Sequence, residues 1–234
     1  MTTFALVHGA WHRGTYWDPT ADRLRAAGHD VVAVDLPCEN PAAGLIDYAG
    51  AVLEALATTP PDADLVVVGH SLGGLTIPLV AAARPVRELV FLCAMVPIPG
   101  VALRDDVWGR REAFAAGWRE RAAHQIAHED GSSSWPEDAA MDAFYQDCDP
   151  DLAAWAAGQL RRQAWTVASE PHPLAAYPEV PARAIVCTED RVLAPDSCAR
   201  HAVDRLDAAV VRLGGGHSPM LAQPDALTEL LLAG

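Results

Sequence analysis

Gly69-His70-Ser71-Leu72-Gly73 sets a serine between two glycines, directly after the apolar run Leu65–Val68 and before a helical pattern. On a sharp strand-to-helix turn a hydroxyl is thrust clear of the backbone, and the flanking glycines let neighbouring chain pass closely. A serine hydroxyl is a weak nucleophile. It needs an imidazole to take its proton and a carboxylate to orient that imidazole. His217 sits in Gly214-Gly215-Gly216-His217-Ser218-Pro219, and of nine histidines it alone occupies a loop after the last strand-like run. Asp190 closes the run Ala184–Asp190, at what reads as the carboxyl end of a strand; Glu189 is its close competitor and Asp196 a distant one. Acyl transfer also needs two backbone amides for a developing oxyanion. Leu72, next to the serine, supplies one. The loop His8-Gly9-Ala10-Trp11 supplies the other, from Ala10, with Trp11 as the alternative. His8 is read as holding that loop by hydrogen bonds rather than moving a proton.

Other constellations carry less chemistry. His124 and His128 are spaced to share a helix face and bind a divalent metal, but no third ligand is placed with them, so they read as a solvated face. Asp142, Asp147, Asp149 and Asp151 lack the glycine and terminal glutamate of a calcium loop and read as solvated surface. Arg161-Arg162 is too short for a nucleic-acid patch and is expected to pair with carboxylates of the cap, residues 97–178. Trp108, Trp118, Trp135, Phe144, Tyr145, Trp155 and Trp165 either line an apolar pocket or pack one layer onto another. No metal or organic cofactor is expected.

These residues must be positioned by a scaffold. Short, non-alternating apolar runs at Phe4–His8, Val31–Leu36, Leu65–Gly69, Leu89–Cys93, Ala184–Cys187 and Val210–Leu213 read as strands buried on both faces. Helical patterns lie between them: one from Asp18-Pro19 to Gly28, one over residues 45–57, and one after Ser71 in which Pro78 predicts a kink. This alternation predicts an α/β fold with a doubly wound, mostly parallel sheet. It stops at Pro97 and resumes near Ala182. The expected organisation is a core of residues 1–96 and 179–234 and a mainly helical cap insertion over 97–178.

Composition narrows the function classes. The chain has 234 residues, 17 basic against 31 acidic, a net charge of −14. Every basic residue is Arg, which excludes a Schiff-base or phosphate-loop lysine. The acidic balance argues against nucleic acid and anionic membranes. Five widely spaced cysteines without a CxxC motif read as reduced thiols of a cytoplasmic protein. No leader and no run of about 18 apolar residues is seen. Alanine richness without lysine suggests a high-GC bacterial genome. Oligomeric state stays open, a homodimer included.

The segments FALVHGAWH, VVVGHSLGG, IVCTED and GGGHSPMLAQP together resemble the α/β-hydrolase superfamily. They are most similar to the branch of plant methylesterases, hydroxynitrile lyases and small bacterial esterases. The likeness spans about residues 3–96 and 180–234; in the cap only Phe144–Cys148 with Asp149-Pro150 is similar to the bacterial esterases. It implies Ser71 as nucleophile, Asp190 as acid, His217 as base, and Ala10 and Leu72 at the oxyanion hole. The lyases place a lysine after the catalytic histidine and commonly a threonine in the oxyanion loop; here those positions hold Ser218 and Ala10. The resemblance therefore implies a serine esterase acting on a small-molecule ester.

Overall fold

The computed structural model describes residues 1–108 and 110–234, without the side chains of Trp108 and Arg111, so the pocket expectation for Trp108 lies outside it. Six strands form one sheet: β1 (Thr3–Val7), β2 (Asp30–Val34), β3 (Leu65–His70), β4 (Glu88–Leu92), β7 (Ala182–Cys187) and β8 (Ala209–Leu213). The order is β2-β1-β3-β4-β7-β8 and every pair is parallel. All six coincide with the apolar runs to within two residues. β1 and β3 are buried along their whole length. Helices cover both faces, so central strands need no alternation. Each fully buried Val or Leu in them contributes roughly 1.5–3 kcal/mol of transfer free energy.

Helices α1 (Asp18–Ala26), α2 (Leu45–Ala55), α3 (Ile77–Ala83), α8 (Pro195–Leu206), α9 (Pro219–Ala222) and α10 (Pro224–Leu232) flank the sheet. The chain after Ser71 departs from the single kinked helix expected. Residues Ser71–Leu75 form a 3-10 turn, and Pro78 lies in the first turn of a separate helix, α3. Proline is accommodated there because the first amides of a helix have no partner to lose.

Between β4 and β7 lie α4 (Trp118–Ala122), α5 (Glu137–Phe144), α6 (Pro150–Gly158), α7 (Thr166–Ser169) and a two-stranded hairpin of β5 (Ile126–Ala127) and β6 (Ser133–Ser134). Its two ends are tied together. The Tyr177 hydroxyl donates to the Pro97 carbonyl, and Gly100 and His172 exchange backbone bonds with His172 and Val101. The Asp106 carboxylate, 4% exposed, takes both nitrogens of the Arg205 guanidinium at 2.7 and 3.0 Å, fastening this segment to α8. Among the described residues, no helix is long and apolar enough to cross a membrane.

Candidate active site

β3 ends at His70, and Ser71 follows with φ 51°, in the left-handed region. A non-glycine residue there costs roughly 1–3 kcal/mol, so its surroundings must hold it. They do so by close approach. A Cβ on Gly73 would lie 2.7 Å from the His8 carbonyl, and one on Gly9 would lie 2.8 Å from the Ser71 Cβ. Only bare backbone fits where the loop after β1 crosses the turn after β3. Ser71 is buried, and its carbonyl accepts from the Met95 amide at 3.1 Å.

Asp190 and His217 leave β7 and β8 at the same edge of the sheet, the carboxyl edge where α/β sheets place their ligands. The Asp190 Oδ2 meets His217 Nδ1 at 2.7 Å, with both side chains only 2% exposed. The other oxygen, Oδ1, accepts from the amides of Val192 and Leu193 at 2.7 and 3.0 Å. The carboxylate is thus fixed in plane, and His217 carries its proton on Nδ1, leaving Nε2 able to accept. The competitors are elsewhere: Asp196 pairs with Arg212 on the surface, and Glu189 is exposed. The base loop docks on the serine turn one residue before Ser71, where His70 Nε2–H donates to the His217 carbonyl at 2.8 Å.

The loop after β1 is clamped at two successive peptides. His8 Nδ1–H donates to the Gly9 carbonyl at 2.8 Å, while its Nε2 accepts from the Leu36 amide at 2.9 Å. In a planar trans peptide this turns the Ala10 N–H to the opposite side. His12 Nδ1–H donates to the Ala10 carbonyl at 2.6 Å, and its Nε2 accepts from the Tyr145 hydroxyl at 2.9 Å. The Trp11 amide donates to Gln163 Oε1 at 3.3 Å, which counts against Trp11 of the two sequence alternatives. Leu72 is the second residue of the 3-10 turn, where opening amides have no partner within the turn.

The imidazoles here differ in proton affinity. Burial pushes His8 down to about 4 and His12 down to about 3. Burial also holds His70 well below the usual histidine value, with the facing His217 and His12 rings acting in the same direction. Three of the four clustered imidazoles are therefore neutral at pH 7.

Trp11, itself at φ 64°, is the hub of an aromatic cluster formed with Trp165, Trp135 and Phe144, at ring distances of 5.2, 5.5 and 5.7 Å. Trp11 and Trp165 both donate their indole N–H to Ser133 Oγ. Trp118 stacks on Phe114 and packs beside Trp135, and Phe144 lies 6.2 Å from the His217 ring. Trp155 is 44% exposed and packs on Tyr16 instead.

The surface expectations hold for the exposed His124, Asp142, Asp149 and Asp151 and for Arg162, and change for the shared helix face, Asp147 and Arg161. His124 lies beyond the end of α4, and His128 bonds Ser134 in the hairpin, so no helix face joins them. Asp147 is not solvated surface: its Oδ2 accepts from the Gly216 amide at 2.6 Å. Asp142 pairs with Arg121 and Arg191, and Asp149 caps α6. Arg161 spends its guanidinium mainly on the carbonyls of His12 and Leu36, while Arg162 approaches Asp130 at 3.9 Å. Sequence reasoning did not find His12, Gln163, Tyr145, Gln146 or Asp147. Their partners are distant in the chain, so their contacts were not legible even though His12 stands in FALVHGAWH and Tyr145, Gln146 and Asp147 in the Phe144–Cys148 segment. A cleft of about 330 Å³ lined by Glu120, Arg121, His124, Asp138 and Asp142 includes none of Ser71, Asp190, His217, Ala10 and Leu72.

Known proteins match this chain along its length. Salicylic acid-binding protein 2 of Nicotiana tabacum is 29% identical, over 98% of this chain and 95% of that protein. A carbendazim hydrolyzing esterase of a Nocardioides species is 40% identical over 114 residues, 44% of this chain and 46% of its own length. The crystal structure of a polyneuridine aldehyde esterase mutant superposes with a TM-score of 0.82 at 24% identity, covering 99% of this chain and 98% of that one, a likeness of fold. The model of the alpha/beta hydrolase family matches residues 4–230, and the chain belongs to that family.

Proposed function

We propose that this protein is a serine hydrolase that cleaves small carboxylic esters through an acyl-enzyme. Ser71 attacks the ester carbonyl as His217 Nε2 takes its proton. Asp190 holds the Nδ1–H tautomer and stabilises the imidazolium. The amides of Ala10 and Leu72 receive the oxyanion, a donor of this kind being worth about 3–4 kcal/mol. Alcohol then leaves, and water activated by His217 releases the acid. Residues 97–178 act as the cap over the site. The mechanism requires no metal or organic cofactor.

The observation that carries this reading is the 2.7 Å Asp190–His217 pair standing at the same sheet edge as a serine held at φ 51°. The neutral state of His8, His12 and His70 adds to it, because no neighbouring imidazolium then opposes charge on His217. The test is hydrolysis of p-nitrophenyl esters, acetate through octanoate, by wild type and Ser71→Ala. The reading requires a loss of about a thousandfold or more in the variant. Equal, slow rates for both would overturn it in favour of a ligand-binding role. Cyanide release from mandelonitrile would favour a lyase, a reading opposed by Ser218 in the position that lyases fill with lysine.

A further inference from the structure

Four consecutive residues at the end of α5 each touch a different part of the site. The Phe144 ring lies 6.2 Å from the His217 ring. The Tyr145 hydroxyl bonds His12, which holds the oxyanion loop. Gln146 Nε2 donates to the Glu189 carbonyl at 3.1 Å, one residue before the acid. Asp147 Oδ2 accepts from the Gly216 amide at 2.6 Å, one residue before the base. The acid and base loops are themselves joined by the Glu189 amide and the Gly215 carbonyl at 2.9 Å.

The glycines of the base loop fit this grip. A Cβ on Gly216 would fall 2.2 Å from Gln146 Nε2 and 2.7 Å from Asp147 Oδ1. A Cβ on Gly215 would fall 2.6 Å from Asp147 Oδ2, and Gly215 has φ 96°, closed to most side chains. The side chains of residues 146 and 147 thus occupy the space that glycine vacates. Asp147 Oδ1 is buried without a hydrogen-bond partner, so this carboxylate is held in the interface between cap and loop rather than hydrated.

We propose that Phe144–Asp147 is a single positioning element of the cap, in which Gln146 and Asp147 set the spacing of Asp190 and His217 by fixing the backbone immediately before each. The inference rests on the roles assigned to Asp190 and His217 above. Seating the cap and aligning the acid–base pair are then one event, since the same four residues close on both loops. Neither Gln146 nor Asp147 touches the reacting atoms. They act through His217 and Asp190.

The test uses the full chain and two readouts. In ester hydrolysis, Asp147→Ala lowers kcat by about tenfold to a hundredfold, the size of one hydrogen bond to a charged group, with KM within about threefold. Asp147→Asn keeps an oxygen acceptor for Gly216 and returns kcat to within about threefold of wild type. In proton NMR on the Ser71→Ala background, the far-downfield resonance of the His217 Nδ1–H bonded to Asp190 is sharp with native Asp147, broadened or lost with Asp147→Ala, and sharp again with Asp147→Asn. A folded Asp147→Ala with unchanged kcat and an unchanged resonance overturns the proposal. So does an Asn variant as damaged as the Ala one, since charge rather than the acceptor would then matter. If Asp147→Ala does not fold, Gln146→Ala decides. It should lower kcat severalfold and broaden the same resonance, and no effect on either overturns the proposal. If wild type cleaves no ester, the functional reading fails while the resonance still decides this one.

Discussion

Gly9→Ala isolates the close approach of the loop after β1 to Ser71. The added Cβ would stand 2.8 Å from the Ser71 Cβ and 3.1 Å from His70 Nδ1. Ordinary carbon–carbon contact is about 3.5–4.0 Å, so the two carbons must separate by roughly 0.7–1.2 Å. Neither can rotate away, because each Cβ is fixed by its own backbone. The strain therefore falls on the relative position of the oxyanion loop and the serine turn, and both are tethered, by His8 on one side and by Met95 on the other. A misplacement of about 1 Å between reacting groups costs on the order of a hundredfold. That is about 2.7 kcal/mol of transition-state stabilisation. The assay is kcat/KM on p-nitrophenyl acetate alongside the thermal unfolding midpoint. The expected result is a folded protein with kcat/KM reduced about a hundredfold. A folded variant within about threefold of wild type would refute the reasoning, because the loop would then have room that the geometry denies it.

Three further perturbations test the scaffold and its charges. Gly50→Ala in α2 meets nothing within 4 Å of the new Cβ, so it should stabilise by roughly 0.5–1 kcal/mol and raise Tm by about 1–4 °C with kcat/KM unchanged; a fall in Tm would count against the helix as described. Asp106→Ala leaves the largely buried Arg205 guanidinium without its bidentate partner, and should cost about 3–5 kcal/mol and lower Tm by about 6–20 °C, an effect that a change under 2 °C would contradict. Acid should destabilise the fold through His8 and His12, whose folded pKa values of about 4 and about 3 lie below the ordinary 6.5. Below pH 6.5 the unfolded chain binds protons that the native state refuses, so stability falls as pH falls toward 4 and levels off only below the folded values. The two groups together contribute a slope of up to roughly 2.7 kcal/mol per pH unit. Urea midpoints between pH 6.5 and 4.5 should show the decline and His12→Gln should make it shallower, whereas a flat wild-type profile would contradict the buried neutral imidazoles.

What the sequence reveals depends on how local the cause is. The six strands were legible because a strand buried on both faces writes an unbroken apolar run, and Leu65–Val68 and Ala184–Cys187 did so with no help from their neighbours. Ser71 was legible because its turn needs glycine on both sides within five residues. Asp190 and His217 were legible as loop residues at strand ends, though the choice of Asp190 over Glu189 depended on which carboxylate faces inward, a matter of tertiary placement. The break between Ser71 and Pro78 was misread as one kinked helix, because a proline in a helical pattern does not say whether it interrupts that helix or opens the next. Asp147 was hidden for a different reason. Four acidic residues within ten positions have the composition of a hydrated surface, and only the arrival of Gly216, sixty-nine positions later, turns one of them inward. In sequence, three glycines before a candidate base suggest slack that lets an imidazole reach back over the sheet. The crowding of Gly215 and Gly216 by Gln146, Asp147 and Gln223 says the opposite: these two are bare because cap and core side chains fill the space, and the loop carrying His217 is gripped rather than loose. A glycine run next to a candidate base is therefore ambiguous in sequence between freedom and confinement, and only the neighbours of its absent Cβ atoms decide which.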